Sequence, residues 1–240
     1  MKIATITAVY NEEDLLPQHL GHYRNQGVDR IFILDSGSTD KTVEIAGRHH
    51  EVEVSSFEVP AVGFDGPKHH AIMKKMLECK GEFDFVILVD ADEFVIPAEV
   101  GTIRSAIEAT PWDRHDLYAT TGYAMVQGPG EADYSPEVPI TQQRKWGVFD
   151  RLYSKPCIVS PKAYPVFAMG IHSVSGIPRV KTFVGAFKLL HYPAPSEAIF
   201  LKRRLAKESK VHLPRAMKTE KHFKELYEEW KSNPEISAVI

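Results

Sequence analysis

The chain has 240 residues, of which 43% are apolar, and its formal net charge at pH 7 is −3. That size fits one large domain with a sizeable core, and the small net charge excludes a general nucleic-acid-binding protein. The two cysteines, Cys79 and Cys157, cannot form a disulfide framework, and the first residues do not resemble a secretory signal. No apolar run approaches the roughly 20 residues that span a bilayer. We therefore expect a cytoplasmic protein without a transmembrane segment.

The first half of the chain alternates apolar runs with helical patterns. Strands are predicted at residues 3–9, 30–34, 52–59 and 83–89, and helices at 15–26, 41–49 and 68–79. Strands that are apolar without alternation, and that are separated by helices, favour parallel pairing with helices on both faces of the sheet. We therefore predict an α/β fold with a mostly parallel central sheet.

The second half is less regular. Further strands are predicted at Leu117–Gln127, within 150–159 and within 183–193. From Ser196 onward the pattern becomes helical and charged, and an amphipathic helix is predicted between Phe223 and Trp230. We place a boundary near Pro195, which divides a main domain (residues 1–195) from a helical C-terminal segment (residues 196–240) that packs on it.

Three predicted strands of the first half end on polar clusters. The clusters are YNEED (residues 10–14), DSGSTD (residues 35–40) and DADEF (residues 90–94). Parallel sheets of this kind bind ligands at the carboxyl ends of their strands. The three clusters are therefore predicted to line one edge of the sheet and to form a ligand site.

The DADEF cluster is a candidate metal site. In an extended backbone Asp90 and Asp92 point to the same side, because side chains alternate along a strand. Two adjacent carboxylates suit a hard cation such as Mg²⁺ or Mn²⁺, with phosphate oxygens and water completing its ligands. The alternative is a solvated acidic turn. The role of Glu93 stays open, since it could orient its neighbours or face away.

The other two clusters suggest nucleoside binding. Asp35 could accept the ring N–H of uracil or guanine, although a helix-capping turn explains the neighbouring Ser38 and Thr39 equally well. Tyr10 could pack against a base, and Glu12 could accept hydrogen bonds from a base or a ribose. The alternative for this cluster is a plain helix start with acidic residues in its first turn.

In this order the three motifs resemble those of the family 2 glycosyltransferases, nucleotide-sugar-dependent enzymes with the GT-A fold. The resemblance covers Lys2 to Phe94 and weakens from Leu117 onward. The DADEF form, with the later LLHYP and a segment similar to Ser-x-x-x-Phe-x-x-Lys, looks like a bacterial subgroup of that family. The fold implied is a GT-A-like, Rossmann-like α/β domain.

The resemblance also implies roles for individual residues. Ala8, Tyr10 and Glu12 would border the nucleoside, Asp35 would contact the base, Asp90 would meet the ribose or a metal-bound water, and Asp92 would bind Mn²⁺ or Mg²⁺ directly. Lys68 would lie near the diphosphate or the sugar, unless it is an ordinary surface lysine. The metal would neutralise charge on the departing diphosphate.

Two later segments could complete the site. His191 ends an apolar run, and an imidazole there is a candidate second ligand for the metal. His172 has a weaker case as a residue of the acceptor site. The basic run Lys202–Arg204 could close over the diphosphate, with Lys202 binding it, or could form a solvated or membrane-facing side of a helix.

An enzyme that inverts the anomeric centre needs a general base for the acceptor hydroxyl. The Glu-Asp pair that is common in the family is absent downstream of DADEF. We favour Asp150 as the base, with Glu131 and Asp133 as alternatives.

We therefore expect a metal-dependent, inverting glycosyltransferase. Its donor would be a nucleoside diphosphate sugar of the UDP or GDP type, and its acceptor a glycan or glycolipid of surface polysaccharide or glycolipid synthesis. The protein would work in the cytoplasm, where it could touch the inner face of the membrane. The alternatives are a nucleotidyltransferase and a non-catalytic nucleotide-binding domain.

Overall fold

The computed structural model describes residues 1–59, 65–163, 165–168, 173–175, 181–210, 220–233 and 235–240. The strands are β1 (Ile3–Val9), β2 (Arg30–Asp35), β3 (Val52–Ser56), β4 (Phe85–Leu88), β5 (Glu93–Pro97), β6 (Leu117–Val126), β7 (Trp146–Phe149), β8 (Ile158–Val159), β9 (Val166–Phe167), β10 (Val174–Ser175), β11 (Thr182–His191) and β12 (Ser237–Ala238). The helices are α1 (Leu16–Asn25), α2 (Thr42–Gly47), α3 (Asp65–Glu78), α4 (Ile103–Glu108), α5 (Ile140–Gln143), α6 (Glu197–Lys210) and α7 (Glu220–Lys231).

The first half forms the predicted parallel sheet. Strands β3, β2, β1 and β4 lie side by side in that order, and every pairing among them is parallel. Val9, at the end of β1, lies beside Asp35, at the end of β2. The carboxyl ends of these strands therefore share one edge of the sheet, and the α/β class predicted from the sequence is confirmed.

Helices cover both faces of the parallel strands, which is why the strands lack an alternating polar pattern. On one face, Leu16, Leu20 and Tyr23 of α1 pack with Ile103 and Ile107 of α4. On the other face, a separate core cluster includes Ile72 and Met76 of α3. The side chains of β1 alternate between these two cores, so burial on both sides fixes the register of the strand.

The second half of the sheet is mixed rather than parallel. β5 begins at Glu93, within DADEF, and pairs antiparallel with β11, which is itself parallel to β6. Strands β7 and β8 pair antiparallel with β6. The strand predicted within residues 150–159 was too long, because Arg151–Tyr153 form a turn of 3₁₀ helix and only Ile158–Val159 are extended. The strand predicted from Leu117 is confirmed as β6.

The C-terminal part contributes two helices and one edge strand. Phe200 of α6 and Tyr227 of α7 are buried against each other, with ring centroids 5.8 Å apart. The last strand, β12, returns to the large sheet and pairs with β7. The side chains of Phe223 and Trp230 lie outside the described residues. None of the helices described combines the length and apolar character needed to cross a membrane.

Gly122 fixes the approach of the segment 150–155 to β6. A Cβ atom at Gly122 would lie 2.1 Å from the carbonyl carbon of Tyr153, and this contact is too close for any side chain. The backbone oxygen of Gly122 accepts the N–H of Asp150 at 2.9 Å, and its N–H donates to Oγ of Ser154 at 2.9 Å. The absence of a side chain at Gly122 therefore determines where this segment sits.

We predict opposite effects of two glycine-to-alanine changes. Gly122→Ala should lower the free energy of unfolding by about 1–3 kcal/mol or more, because the segment 150–155 must move. Gly21→Ala in α1 should raise it by about 0.5–1 kcal/mol, because alanine is the better helix former and no atom lies within 4 Å of the added Cβ. Urea unfolding of both variants checks this. Equal effects would contradict the packing described for Gly122.

Candidate functional site

The loops after β1 and β2 are joined by hydrogen bonds. The backbone N–H of Asn11 donates to Oγ of Ser38 at 2.9 Å, and Oδ1 of Asn11 accepts the N–H of Thr39 at 2.8 Å. The N–H of Glu12 donates to Oγ1 of Thr42 at 2.8 Å. Asn11 adopts a φ of 53°, a left-handed conformation that asparagine tolerates better than most residues. The YNEED and DSGSTD clusters thus form one continuous surface.

Asp35 organises the DSGSTD turn. Its Oδ2 accepts the N–H of Gly37 at 3.0 Å, and its Oδ1 accepts the N–H of Ser38 at 3.1 Å. Gly37 has a φ of 91°, which glycine adopts without strain. The carboxylate is buried within this turn. The predicted capping of the next helix by Ser38 or Thr39 is wrong, because α2 begins after Lys41 without a hydrogen bond from a side-chain cap. Its contact with a nucleotide base stays a prediction.

Asp92 lies in the centre of the site. It is only 4% exposed, and its Oδ2 lies 3.3 Å from Nε2 of His191 and 2.7 Å from Nη2 of Arg203. The pairing of β5 with β11 brings His191 opposite Glu93, and the N–H of Tyr192 donates to the backbone oxygen of Asp92 at 2.7 Å. The two residues predicted as metal ligands, Asp92 and His191, are therefore adjacent.

This pair fits a divalent metal ion. Donor atoms that bind one Mg²⁺ ion at right angles lie about 3 Å apart, close to the separation of Oδ2 and Nε2. The ring of His191 stacks on that of Tyr153, with centroids 3.8 Å apart, and its Nδ1 is buried without a hydrogen-bond partner. Within the described residues, no group of three or more His, Cys, Asp or Glu side chains could hold a metal. A metal ion held by Asp92 and His191 would therefore need further ligands from outside these two side chains.

Asp90 and Glu93 each pair with a lysine. Nζ of Lys68 donates to Oδ1 of Asp90 at 2.5 Å, and Nζ of Lys155 donates to Oε1 of Glu93 at 2.6 Å. Burial alone would raise the pKa of Asp90, but the charges of Lys68 and Lys155 outweigh it and lower that pKa to about 2. Asp90 is therefore ionised at neutral pH.

Glu93 has a structural role that the sequence left open. It is buried, and its Oε2 accepts the N–H of Asp90 at 2.9 Å, so it shapes the turn that presents Asp90 and Asp92. Its backbone oxygen accepts the hydroxyl of Tyr23 at 2.9 Å. Glu93 orients its neighbours and does not face away.

Two histidines of α1, the buried His19 and the half-buried His22, pack against Phe94 of DADEF. Burial lowers the pKa of His19 to about 3 and that of His22 to about 4, so both are neutral at pH 7. His19 contacts Oγ1 of Thr7 at 2.9 Å, and His22 contacts the backbone oxygen of Val95 at 2.8 Å. These histidines belong to the core that carries the site.

A cleft of about 210 Å³ opens beside Asp90. It is lined by Asp65, Lys68, His69, Ile72, Leu88, Val89, Asp90, Glu93, Tyr153 and Lys155. Tyr153 and Lys155 escaped the sequence analysis, because they lie in an irregular segment without a pattern. Lys68, which could have been an ordinary surface residue, is half-buried and faces the cleft.

The basic run on α6 meets the site through Arg203. Its side chain is 7% exposed, and Nε and Nη2 donate to the two carboxylate oxygens of Glu12, each at 3.0 Å. Lys202 instead pairs with Glu13 at 2.6 Å and Asp14 at 2.7 Å on the outer side of the YNEED loop. The segment similar to Ser-x-x-x-Phe-x-x-Lys has an arginine, Arg203, in place of its final lysine. Of the basic run Lys202–Arg204, Arg203 is the residue whose side chain points into the site.

The remaining predicted residues lie in different parts of the chain's structure. Ala8 is buried in β1, and Tyr10 is half-buried at the end of that strand. Oε1 of Glu131 accepts the N–H of Lys145 at 2.7 Å, and Asp133 lines a separate cavity between α6 and α7. His172 lies outside the described residues.

Asp150 caps the 3₁₀ turn Arg151–Tyr153. Its Oδ1 accepts the N–H of Leu152 at 2.8 Å. Burial raises the pKa of Tyr153, and the carboxylates of Asp92, Glu93 and Asp150 add to this effect. Asp150 is therefore close enough to act electrostatically on the ring that stacks on His191.

A sequence model of the family described as "Glycosyl transferase family 2" matches residues 5–145. The chain belongs to glycosyl transferase family 2. The matched region includes all three clusters, but it ends before Lys155, His191 and Arg203. The sequence resemblance to the family is therefore confirmed.

One curated relative is an undecaprenyl-phosphate 4-deoxy-4-formamido-L-arabinose transferase from Pseudomonas savastanoi pv. phaseolicola. It is 30% identical over an alignment of 136 residues, with 47% of this chain and 38% of the relative covered. The chain therefore spans well under half the length of that protein.

Two solved structures are among those to which the chain shows similarity. Glucosyl-3-phosphoglycerate synthase from Mycobacterium tuberculosis, in complex with Mn²⁺, uridine diphosphate and glucosyl-3-phosphoglycerate, is 18% identical, with 90% of this chain and 81% of that chain covered and a TM-score of 0.46. HddC from Yersinia pseudotuberculosis is 14% identical, with 85% and 100% covered and a TM-score of 0.42.

We predict that the buried pair Lys155–Glu93 is needed for stability. Lys155→Met should lower the free energy of unfolding by about 3–5 kcal/mol, because Glu93 is left buried without a counter-charge. The double variant Lys155→Met/Glu93→Gln should recover part of that loss. Urea unfolding provides the measurement.

The control is Lys162→Met, which removes an exposed ion pair with Asp84 and should cost less than about 1 kcal/mol. A cost for Lys155→Met no larger than this control would contradict the buried charge pairing.

Proposed function

We propose that this protein transfers a sugar from a nucleoside diphosphate sugar to an acceptor hydroxyl, with inversion at the anomeric carbon. The observation that carries the proposal is the meeting of all three family motifs with His191, Lys68 and Arg203 at the carboxyl edge of the parallel strands. This edge is where open α/β sheets bind nucleotides. The family match over residues 5–145 supports a nucleotide-sugar donor.

The nucleoside would lie on the surface formed by the first two loops. Ala8, Tyr10 and Glu12 border it, and Asp35 accepts a ring N–H from uracil or guanine. Asp35 already accepts two backbone N–H groups, which hold its carboxylate in a fixed orientation. A fixed acceptor favours a base that presents an N–H, because each oxygen of an ionised carboxylate can accept a further hydrogen bond.

The diphosphate would lie beside DADEF. Asp92 and His191 are the residues that would hold Mn²⁺ or Mg²⁺, which when bound supplies a Lewis acid for the departing diphosphate. Asp90 accepts a hydrogen bond from a ribose hydroxyl or a bound water. Lys68 lies on the cleft side of Asp90 and offers positive charge near the sugar, and Lys202 offers it at the outer side of the nucleoside loop.

The acceptor would enter on the side of Tyr153. We propose Asp150 as the base that takes the proton from the acceptor hydroxyl while the sugar is transferred. The acceptor is a glycan or glycolipid, and the name of the Pseudomonas relative, which specifies a lipid phosphate, supports a lipid-linked one. A protein that uses such an acceptor would work at the cytoplasmic face of the membrane.

A panel of nucleotide sugars, each with and without Mn²⁺, tests the proposal. We expect one donor to give metal-dependent release of nucleoside diphosphate and to raise the melting temperature. Asp92→Asn should reduce release at least 100-fold, because the metal loses its carboxylate ligand, while Asp113→Asn, at an exposed site, should match the wild type. The 100-fold figure is roughly what loss of one strong electrostatic group costs.

The donor panel, together with a pyrophosphate assay, separates this transfer from the two alternative functions, a nucleotidyltransferase and a non-catalytic binding domain. Pyrophosphate release from a nucleoside triphosphate and a sugar phosphate, without diphosphate release from any nucleotide sugar, would identify a nucleotidyltransferase. Thermal stabilisation by a donor without any turnover would identify a non-catalytic binding domain. Either result would overturn the proposed transfer.

A further inference from the structure

Arg203 joins two acidic loops that follow different strands. Its guanidinium donates to both oxygens of Glu12 at 3.0 Å, and Nη2 also contacts Oδ2 of Asp92 at 2.7 Å. All three side chains are buried. A single cation from α6 therefore lies between the carboxylate of the YNEED loop and the carboxylate proposed to bind metal.

The position of Arg203 is set by the packing of its helix. Phe200, one turn earlier, is buried against Ala194 and Tyr227. Nη1 of Arg203 also contacts the backbone oxygen of Pro193 at 3.4 Å, just before the helix begins. Because Phe200 anchors the helix one turn before Arg203 and the backbone oxygen of Pro193 accepts from Nη1, the guanidinium is held at Asp92.

The charges in this cluster do not cancel. Glu12 and Asp92 carry two negative charges, and Arg203 carries one positive charge that it keeps at any physiological pH. Counted over these three side chains alone, one negative charge remains beside His191. Loss of Arg203 would remove a positive charge that lies 2.7 Å from Oδ2 of Asp92.

We propose that Arg203 is a built-in counter-cation of Asp92 that competes with the divalent metal. It holds Glu12 and Asp92 together before any ligand binds, and it lowers the affinity of the protein for the free ion. The ion then binds well only together with a nucleoside diphosphate, whose negative charges compensate for Arg203. This inference rests on the proposed metal-dependent transfer and adds a positioning residue to it.

A purely structural role for Arg203 makes the opposite prediction. If the guanidinium only supported the fold of the two loops, its loss would disturb Asp92 and weaken metal binding. If it is a competing cation, its loss leaves a more negative site and strengthens metal binding. The direction of the change in metal affinity therefore separates the two roles.

The test is titration of Mn²⁺ into the free protein, followed by the electron paramagnetic resonance signal of the unbound ion. Arg203→Gln should bind Mn²⁺ at least roughly 10-fold more tightly than the wild type, because a unit charge next to a metal ligand is removed. Arg204→Gln, the same change at the next position of the helix, where the side chain is exposed, should change the affinity less than about 2-fold, since solvent screens it. Unchanged or weaker binding in Arg203→Gln would overturn the proposal.

If Arg203→Gln does not fold, two further variants test whether Arg203 competes with the metal ion. Arg203→Lys keeps the charge and should bind free Mn²⁺ with an affinity close to that of the wild type. Glu12→Gln leaves Arg203 to neutralise Asp92 alone and should weaken binding roughly 10-fold. Equal affinities for Glu12→Gln and the wild type would overturn the proposal.

A second titration distinguishes failure of this inference from failure of the proposed function. Uridine or guanosine diphosphate should increase the affinity of the wild type for Mn²⁺, and this increase should be smaller in Arg203→Gln. A wild type that binds no Mn²⁺ with either nucleotide would overturn the metal site itself. Nucleotide-dependent binding that is identical in both proteins would overturn only the role of Arg203.

Discussion

The site depends on the neutralisation of buried carboxylates by cations from distant parts of the chain. Glu12, Asp90, Asp92 and Glu93 converge because the carboxyl ends of parallel strands meet at one edge of the sheet. Such a group of like charges would be unstable in a partly buried setting. Lys68 from α3, Lys155 from an irregular segment and Arg203 from α6 supply three positive charges against four negative ones. Among these seven side chains one negative charge remains, which favours the cation binding that we propose.

This balance explains why distant elements must be placed accurately. Lys155 reaches Glu93 only because Gly122 lets the segment 150–155 lie directly on β6. His191 reaches Asp92 because β11 pairs with β5. The fold therefore links the site to residues that follow the matched family region, and the C-terminal helix α6 contributes a side chain to the centre of the site.

The sequence predicted which clusters meet at the carboxyl edge of the parallel strands, but not which cations neutralise their buried carboxylates. Parallel pairing follows from apolar runs without alternation, so the meeting of YNEED, DSGSTD and DADEF could be predicted, and so could the approach of a strand-end histidine such as His191. The choice between Lys202 and Arg203 could not, because consecutive helix residues point about 100° apart and only the docking of α6 decides which one faces inward. Lys155 lies in a segment with no periodic pattern. Glu93 turned inward because DADEF leads straight into β5, a strand that the sequence analysis missed.

The most direct test of this account is the position of the metal ion. We propose crystals of the protein grown with Mn²⁺ and uridine or guanosine diphosphate, and anomalous scattering measured at the manganese edge. The account predicts one strong manganese peak bound by Asp92 and His191 and by oxygens of the diphosphate. A peak elsewhere, or a bound nucleotide with Asp92 still paired only to Arg203 and no manganese beside it, would contradict the account.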